Sequence, residues 1–185
     1  TGIPEATIYL QLYEGLTRMD ASGRPVAALA KDWDISADGT VYTFHLRESK
    51  WSNGETLTAH DFVWSWKRSL DPDIAADYAY MLDPIKGATA YNAGEGSVDA
   101  VGIKALDDLT LEVQLVSPTP YFLSLTSFMT YYPLYKKNIE ADPEGWHLEV
   151  DTIVGNGPFK LDKWAPTKTT GTMGQSRPTA CSSPW

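Results

Sequence analysis

Three histidines, 24 acidic residues and one cysteine are the groups in this chain that could do acid, base, nucleophilic or metal chemistry. Catalysis needs such groups to converge. His45, His60 and His147 lie far apart, in what the sequence pattern makes three separate elements. His60 and Asp61 are neighbours, but adjacent positions on a helix do not face each other, so they form no acid–base pair. Cys181 stands alone, which excludes a disulfide framework and a cysteine-based zinc site. The chain holds no G-x-S-x-G, no H-E-x-x-H and no phosphate-binding loop. Carboxylates are plentiful enough for a glycosidase pair, but no spacing singles one out. Seven Trp, ten Tyr and five Phe remain, side chains that can line a sugar or peptide cleft or fill a core.

The elements that must position these groups follow from periodicity. Thr58 and Asp61 make an N-terminal capping pair, and Phe62, Val63, Trp66 and Leu70 form one apolar stripe behind it. Asp71-Pro72 ends that helix, because the residue before proline is pushed out of the α region. Ser52-Asn53-Gly54 is a turn leading into it. Tyr42, Phe44 and Leu46 alternate with Thr43, His45 and Arg47, the period of a half-buried strand, and Asp38-Gly39 is a hairpin signal before it. Val101, Ile103 and Ala105, then Leu111, Val113 and Leu115, repeat the alternation around Asp107-Asp108. With the stretch around Trp33 and Ile35, these segments predict an antiparallel sheet between Asp32 and Val116, with the 58–70 helix packed on it.

Elsewhere the pattern is looser. Pro4 biases Ile3 toward an extended conformation, so residues 1–4 are expected to be extended. Ile8, Leu12 and Leu16 then fall at helical spacing. Val26 to Lys31 reads as a short helix or extended link. Tyr78, Leu82, Ile85 and Ala88 suggest a helical face interrupted at Pro84, and Pro118 and Pro120 open a helix with Tyr121, Phe122, Leu125 and Phe128. Lys136 to Asp142 suits a short helix, and Gly155-Asn156-Gly157-Pro158 a turn into a strand from Phe159 to Trp164. From Thr167 on, the last 19 residues hold five Thr, no acidic residue and no hydrophobic period. Such a segment buries no face and is expected to be disordered.

Net charge is −9, which argues against a nucleic-acid or anionic-membrane surface. No apolar run is long enough to span a bilayer, and no secretion signal opens the chain.

The spelling of several segments is informative. Trp51-Ser-Asn-Gly54, Thr58-Ala-His-Asp61-Phe-Val63 and Trp66-Lys-Arg-Ser-Leu-Asp-Pro72 resemble the oligopeptide-binding proteins of ABC importers, the solute-binding protein family 5. Leu12-Tyr-Glu-Gly-Leu16, Tyr42-Thr-Phe-His-Leu-Arg47, Val101 to Asp108, Pro118-Thr-Pro-Tyr-Phe122 and Asn156-Gly-Pro-Phe159 extend the resemblance over about residues 1–166.

The resemblance implies an α/β (α+β) fold of the periplasmic-binding-protein type II kind, truncated, since members of the family are much longer. Residues 1–13 would begin a first lobe, 14–137 would form the smaller second domain and 138–166 would return into the first lobe. The tail, 167–185, departs from the family pattern, as an out-of-frame segment beginning near Pro166 would. The implied function is extracytoplasmic capture of an oligopeptide and its delivery to a membrane permease. No cofactor, metal or catalysis is implied, and contact with a membrane would be peripheral, through a lipid anchor outside this chain. Thr1, Gly2 and Ile3 match a segment that pairs with the peptide backbone, although many members have an acidic residue where this chain has Thr1. Tyr78 matches a tyrosine that reaches the amino-terminal end of the peptide, and Phe128 and Met129 match a stretch bordering a side-chain pocket. The scaffold also serves binders of dipeptides, nickel and cello-oligosaccharides. From a different class, an aromatic-rich carbohydrate-active hydrolase fits the composition.

Overall fold

A computed structural model describes residues 3–143, 145–147, 150–163 and 179–182. In chain order the regular elements are helix α1 (Ile3–Leu12), strands β1 (Thr17–Met19), β2 (Pro25–Ala27), β3 (Ala30–Ile35), β4 (Val41–Leu46), β5 (Ser49–Lys50) and β6 (Thr56–Leu57), and helix α2 (Ala59–Ser69). Helix α3 (Ala88–Asn92), strands β7 (Ile103–Asp107) and β8 (Thr110–Gln114), helices α4 (Phe122–Leu125) and α5 (Lys136–Ala141), and strands β9 (Lys160–Lys163) and β10 (Thr179–Ser182) follow. Short 3-10 turns at Ala79–Leu82 and Met129–Tyr131 complete the part that matters for function.

The central sheet is antiparallel in the order β3-β4-β8-β7. Its inner face follows from the alternation in β4: Tyr42, Phe44 and Leu46 are buried, while Val41, Thr43 and His45 are half-exposed. Register then stacks like on like, with Phe44 opposite both Trp33 and Leu111, and Val113 opposite both Tyr42 and Ile103. Helix α2 covers this face through β7 and β8. Phe62, Trp66 and Leu70 are fully buried and Val63 half-buried, which is the expected stripe.

The capping pair of α2 is formed as expected, with the Thr58 amide donating to Asp61 Oδ2 at 2.8 Å. Lys67 and Arg68 fall in the last turn, where cations suit the helix dipole. Burial raises the Asp61 pKa above its ordinary 3.8, against the lowering effect of bonds from Thr58 and Trp51. A raised carboxyl pKa means that the folded state holds the proton more tightly. The stability Asp61 contributes is therefore complete below 3.8 and is lost as pH rises through its folded value. The turn aspartates Asp20, Asp38 and Asp107 act oppositely, because hydrogen bonds lower their pKa values. Asp61→Asn removes the opposing contribution. The gain in stability between about pH 3.5 and about pH 6, followed in urea melts, should therefore be larger in Asp61→Asn than in the parent. An unchanged gain would show that this carboxyl titrates normally, and a smaller one that the fold lowers its pKa.

Several expectations need correction. Ile3 and Pro4 begin α1 and are not extended; proline suits a first helical turn, where its missing N–H costs nothing. The helix stops at Leu12, before Leu16. A Cβ at Gly15 would stand 2.7 Å from the Thr126 carbonyl oxygen, so the chain passes here in close backbone contact into β1. Of the two conformations open to residues 26–31, short helix or extended link, the chain takes the extended one, with β2 ending at Ala27 and β3 starting at Ala30. The helical face expected through residues 78–88 is a 3-10 turn and the separate α3, split by Pro84 and by Gly87 at φ 74°. Leu82, Ile85 and Ala88 are nonetheless buried.

The proline-opened helix is only the short α4, and Phe128 belongs to the next turn. The disorder expected for 167–185 fails at Thr179–Ser182, which pairs antiparallel with β9, Cys181 opposite Leu161. An open strand edge offers backbone groups that even a sequence without a hydrophobic period can satisfy. The rest of that tail lies outside the described residues. Among the described residues no helix is long and apolar enough to cross a membrane.

Candidate functional site

The site grows out of the end of α2. The Leu70 amide closes the helix on the Trp66 carbonyl at 3.1 Å, and the chain leaves through Asp71-Pro72 into an exposed loop. The loop includes Ala75 at φ 49°, a left-handed conformation that an alanine rarely adopts. Tyr78 then opens the 79–82 turn, whose Ala79 and Leu82 are buried while Tyr78 and Tyr80 point to solvent. Fifty residues later Phe128 opens the 129–131 turn.

The two turns are tied together. Tyr131 is buried, and its hydroxyl donates to the Met81 carbonyl oxygen at 2.6 Å. Burial, with the nearby Asp83 carboxylate, pushes that phenol far above its usual range, so it stays a donor at any physiological pH. From behind, the indole N–H of Trp66 donates to the Tyr131 carbonyl at 2.8 Å. This frame brings the Tyr78 and Phe128 rings to 6.0 Å, edge to face, and the Tyr80 ring lies 6.1 Å from that of Tyr78.

Of the six residues singled out in the sequence, Tyr78 and Phe128 thus meet. Met129 follows Phe128 and turns inward, half-buried against the core. Ile3 begins α1, which passes beside the 129–131 turn. Thr1 and Gly2 lie outside the described residues. Tyr80 is the member of the cluster that sequence reasoning missed; the Tyr-Ala-Tyr repeat, with a small buried residue between two rings, is the signal that could have found it.

The three histidines occupy different elements. His45 Nε2 lies 3.0 Å from Asp34 on the outer face of the sheet, His60 lies 3.6 Å from Asp108, and the His147 ring packs on Trp146. Among the described residues no group of three or more His, Cys, Asp or Glu could hold a metal ion.

Residues 24–171 match the model of the bacterial extracellular solute-binding proteins, family 5 (middle region). The chain belongs to this family. It is 48% identical over 156 residues to the oligopeptide-binding protein OppA of Bacillus subtilis, covering 83% of this chain and 28% of that protein. It is 47% identical over 154 residues to the dipeptide-binding protein DppE of the same organism, with the same two coverages. Among solved structures, Listeria monocytogenes OppA bound to peptide superposes with a TM-score of 0.85 at 43% identity, over 89% of this chain and 33% of that one. The chain therefore spans about a third of the length of the family 5 proteins it matches. The mixed α and β fold is the expected periplasmic-binding-protein type II kind, over that part. These family 5 relatives are solute-binding proteins and not enzymes.

Proposed function

We infer that this chain is part of the extracytoplasmic solute-binding component of an ABC importer, that its solute is an oligopeptide, and that the Tyr78 face is its share of the peptide site. The observation that carries the reading is the ring pair of exposed Tyr78 and half-buried Phe128, held on two turns that Tyr131 locks together. Rings presented from an anchored backbone offer a wide apolar surface with little entropy to lose, and the tyrosine hydroxyl can bond a peptide's main chain. A relative 43% identical to this chain has been solved bound to peptide. Delivery to a membrane permease, and an extracytoplasmic location, belong to the same proposal. Thr1 and Gly2 keep their proposed role of pairing with the peptide backbone.

In the domain arrangement we propose, 14–137 is the smaller domain, and residues 1–13 and 138–166 are parts of the first lobe. The passages between them run side by side. The Gly157 amide donates to the Leu12 carbonyl at 2.9 Å, and the Asn156 side chain both accepts from the Glu14 amide at 3.1 Å and donates to the Glu14 carbonyl at 2.9 Å.

Titration with di- to pentapeptides, followed by calorimetry, tests the reading and gives the preferred length. Saturable binding that Tyr78→Ala weakens at least about tenfold, roughly 1.4 kcal/mol, is the expected result. Binding indifferent to Tyr78→Ala would move the site elsewhere. Turnover of chromogenic glycosides would replace the reading with that of a carbohydrate-active enzyme.

A further inference from the structure

The exposed rings stand in an acidic stretch. Between Arg68 and Lys86 the sequence holds Asp71, Asp73, Asp77 and Asp83 and neither Lys nor Arg. Asp77 is exposed and immediately precedes Tyr78. The Asp83 amide donates to the Tyr80 carbonyl at 3.1 Å, and its exposed carboxylate accepts from the Thr89 hydroxyl at 3.1 Å. Tyr78 and Tyr80 are 43% and 58% exposed, and their rings are tilted by 38°, with Phe128 completing the cluster at 61° to Tyr78. The Met81 amide donates to the Tyr78 carbonyl at 3.0 Å, so the ring positions are set by the turn.

Aromatic faces carry the negative part of the ring quadrupole, and carboxylates within a Debye length add to it with the same sign. Elsewhere in the chain a ring is already served this way: Arg68 and Lys136 each lie 6.0 Å from the centroid of Trp64. Among the described residues no cation of the chain is so placed over Tyr78, Tyr80 or Phe128.

We propose that Tyr78, Tyr80 and Phe128 form a receptacle for the cationic side chain of a bound peptide, lysine or arginine, with Asp77 and Asp83 supporting the charge. The proposal rests on the reading of this face as a peptide wall and goes beyond it by naming the side-chain class preferred there. An anionic side chain meets the same field with the opposite sign. An apolar one gains ring contact but nothing from the carboxylates.

Tripeptides that differ only in the central residue isolate the effect: Ala-Lys-Ala, Ala-Arg-Ala, Ala-Leu-Ala and Ala-Glu-Ala, titrated into the 185-residue chain at low and moderate salt. The lysine and arginine peptides should bind about fivefold or more tightly than the glutamate peptide, a ratio that shrinks as salt is added. Tyr80→Ala, at an exposed position, should collapse the ratio, and Tyr80→Phe should keep it. Equal affinities for all four peptides, or a ratio that survives Tyr80→Ala, would overturn the receptacle and leave the peptide site standing. N-acetylation that abolishes the preference would overturn it too, by assigning the cation to the peptide amine. If no peptide binds at all, the peptide-wall reading falls and the receptacle with it.

Discussion

Replacing Trp66 with alanine should cost about 3–5 kcal/mol of stability, the largest effect expected of any single substitution on α2. Two losses add. The indole is fully buried between Phe62, at 6.1 Å and edge-on, and Tyr131, at 4.9 Å and edge-on, so its removal leaves a cavity under the sheet. The Tyr131 carbonyl also loses the N–H that bonds it, and a buried acceptor left alone carries a penalty of about 1–3 kcal/mol. Trp66→Phe keeps much of the volume and loses the bond, so it should fall between parent and alanine variant. Urea melts give both numbers. A loss below about 1 kcal/mol for Trp66→Ala would mean that the buried face of α2 has been wrongly assigned. The same substitution reaches the binding face, because Tyr131, which Trp66 supports, is the residue that bonds Met81 and locks the turns of Tyr78 and Phe128 together.

That connection runs through Trp66, Tyr131 and Met81, which no sequence pattern links, and it shows where reading the chain runs out. The β4 strand and α2 were legible because each buries one face: period two in Tyr42, Phe44 and Leu46, and period 3.6 in Phe62, Trp66 and Leu70, are direct consequences of one-sided burial. The capping pair at Thr58 and Asp61 was legible because it is local. Residues 71–91 were not, since their conformation is set by Pro84, by Gly87, whose Cβ would lie 2.6 Å from the Ala100 carbonyl oxygen, and by bonds to a turn fifty residues away. The helix at Ile3 was missed because proline before a helix and proline inside an extended arm look the same in a single sequence. Tyr78 was singled out only through the family resemblance. Its periodicity groups it with Leu82 and Ile85, which are buried, whereas Tyr78 faces solvent. The meeting of Tyr78 with Phe128, and the presence of Tyr80 beside them, needed coordinates.

The second large effect is expected at Gly155, where residues 155–159 pass against residues 11–14. A Cβ placed there would lie 2.1 Å from the Leu12 carbonyl oxygen, a contact with backbone that no rotamer change can relieve. Gly155→Ala must therefore push residues 154–157 away from Leu12. The bonds at risk are the Ser52 amide to the Gly155 carbonyl at 2.8 Å, the Gly155 amide to Ser52 Oγ at 3.2 Å, and the Gly157 amide to Leu12. The Asn156 clasp on Glu14 would open with them, beside the ion pair between Glu14 and Arg47. Overpacking of this kind costs about 1–3 kcal/mol, and each bond broken adds about 1 kcal/mol, so a loss of at least about 3 kcal/mol is expected. Gly23→Ala is the control. Gly23 has φ 77° with nothing within 4 Å of its Cβ, so the variant carries backbone strain alone, about 1–2 kcal/mol. Hydrogen exchange locates the damage: the amides of Glu14, Ser52 and Gly157 should lose protection in Gly155→Ala, while those of β4 and β8 keep theirs. If Gly155→Ala costs no more than Gly23→Ala and those three amides stay protected, the two passages are not packed together as described.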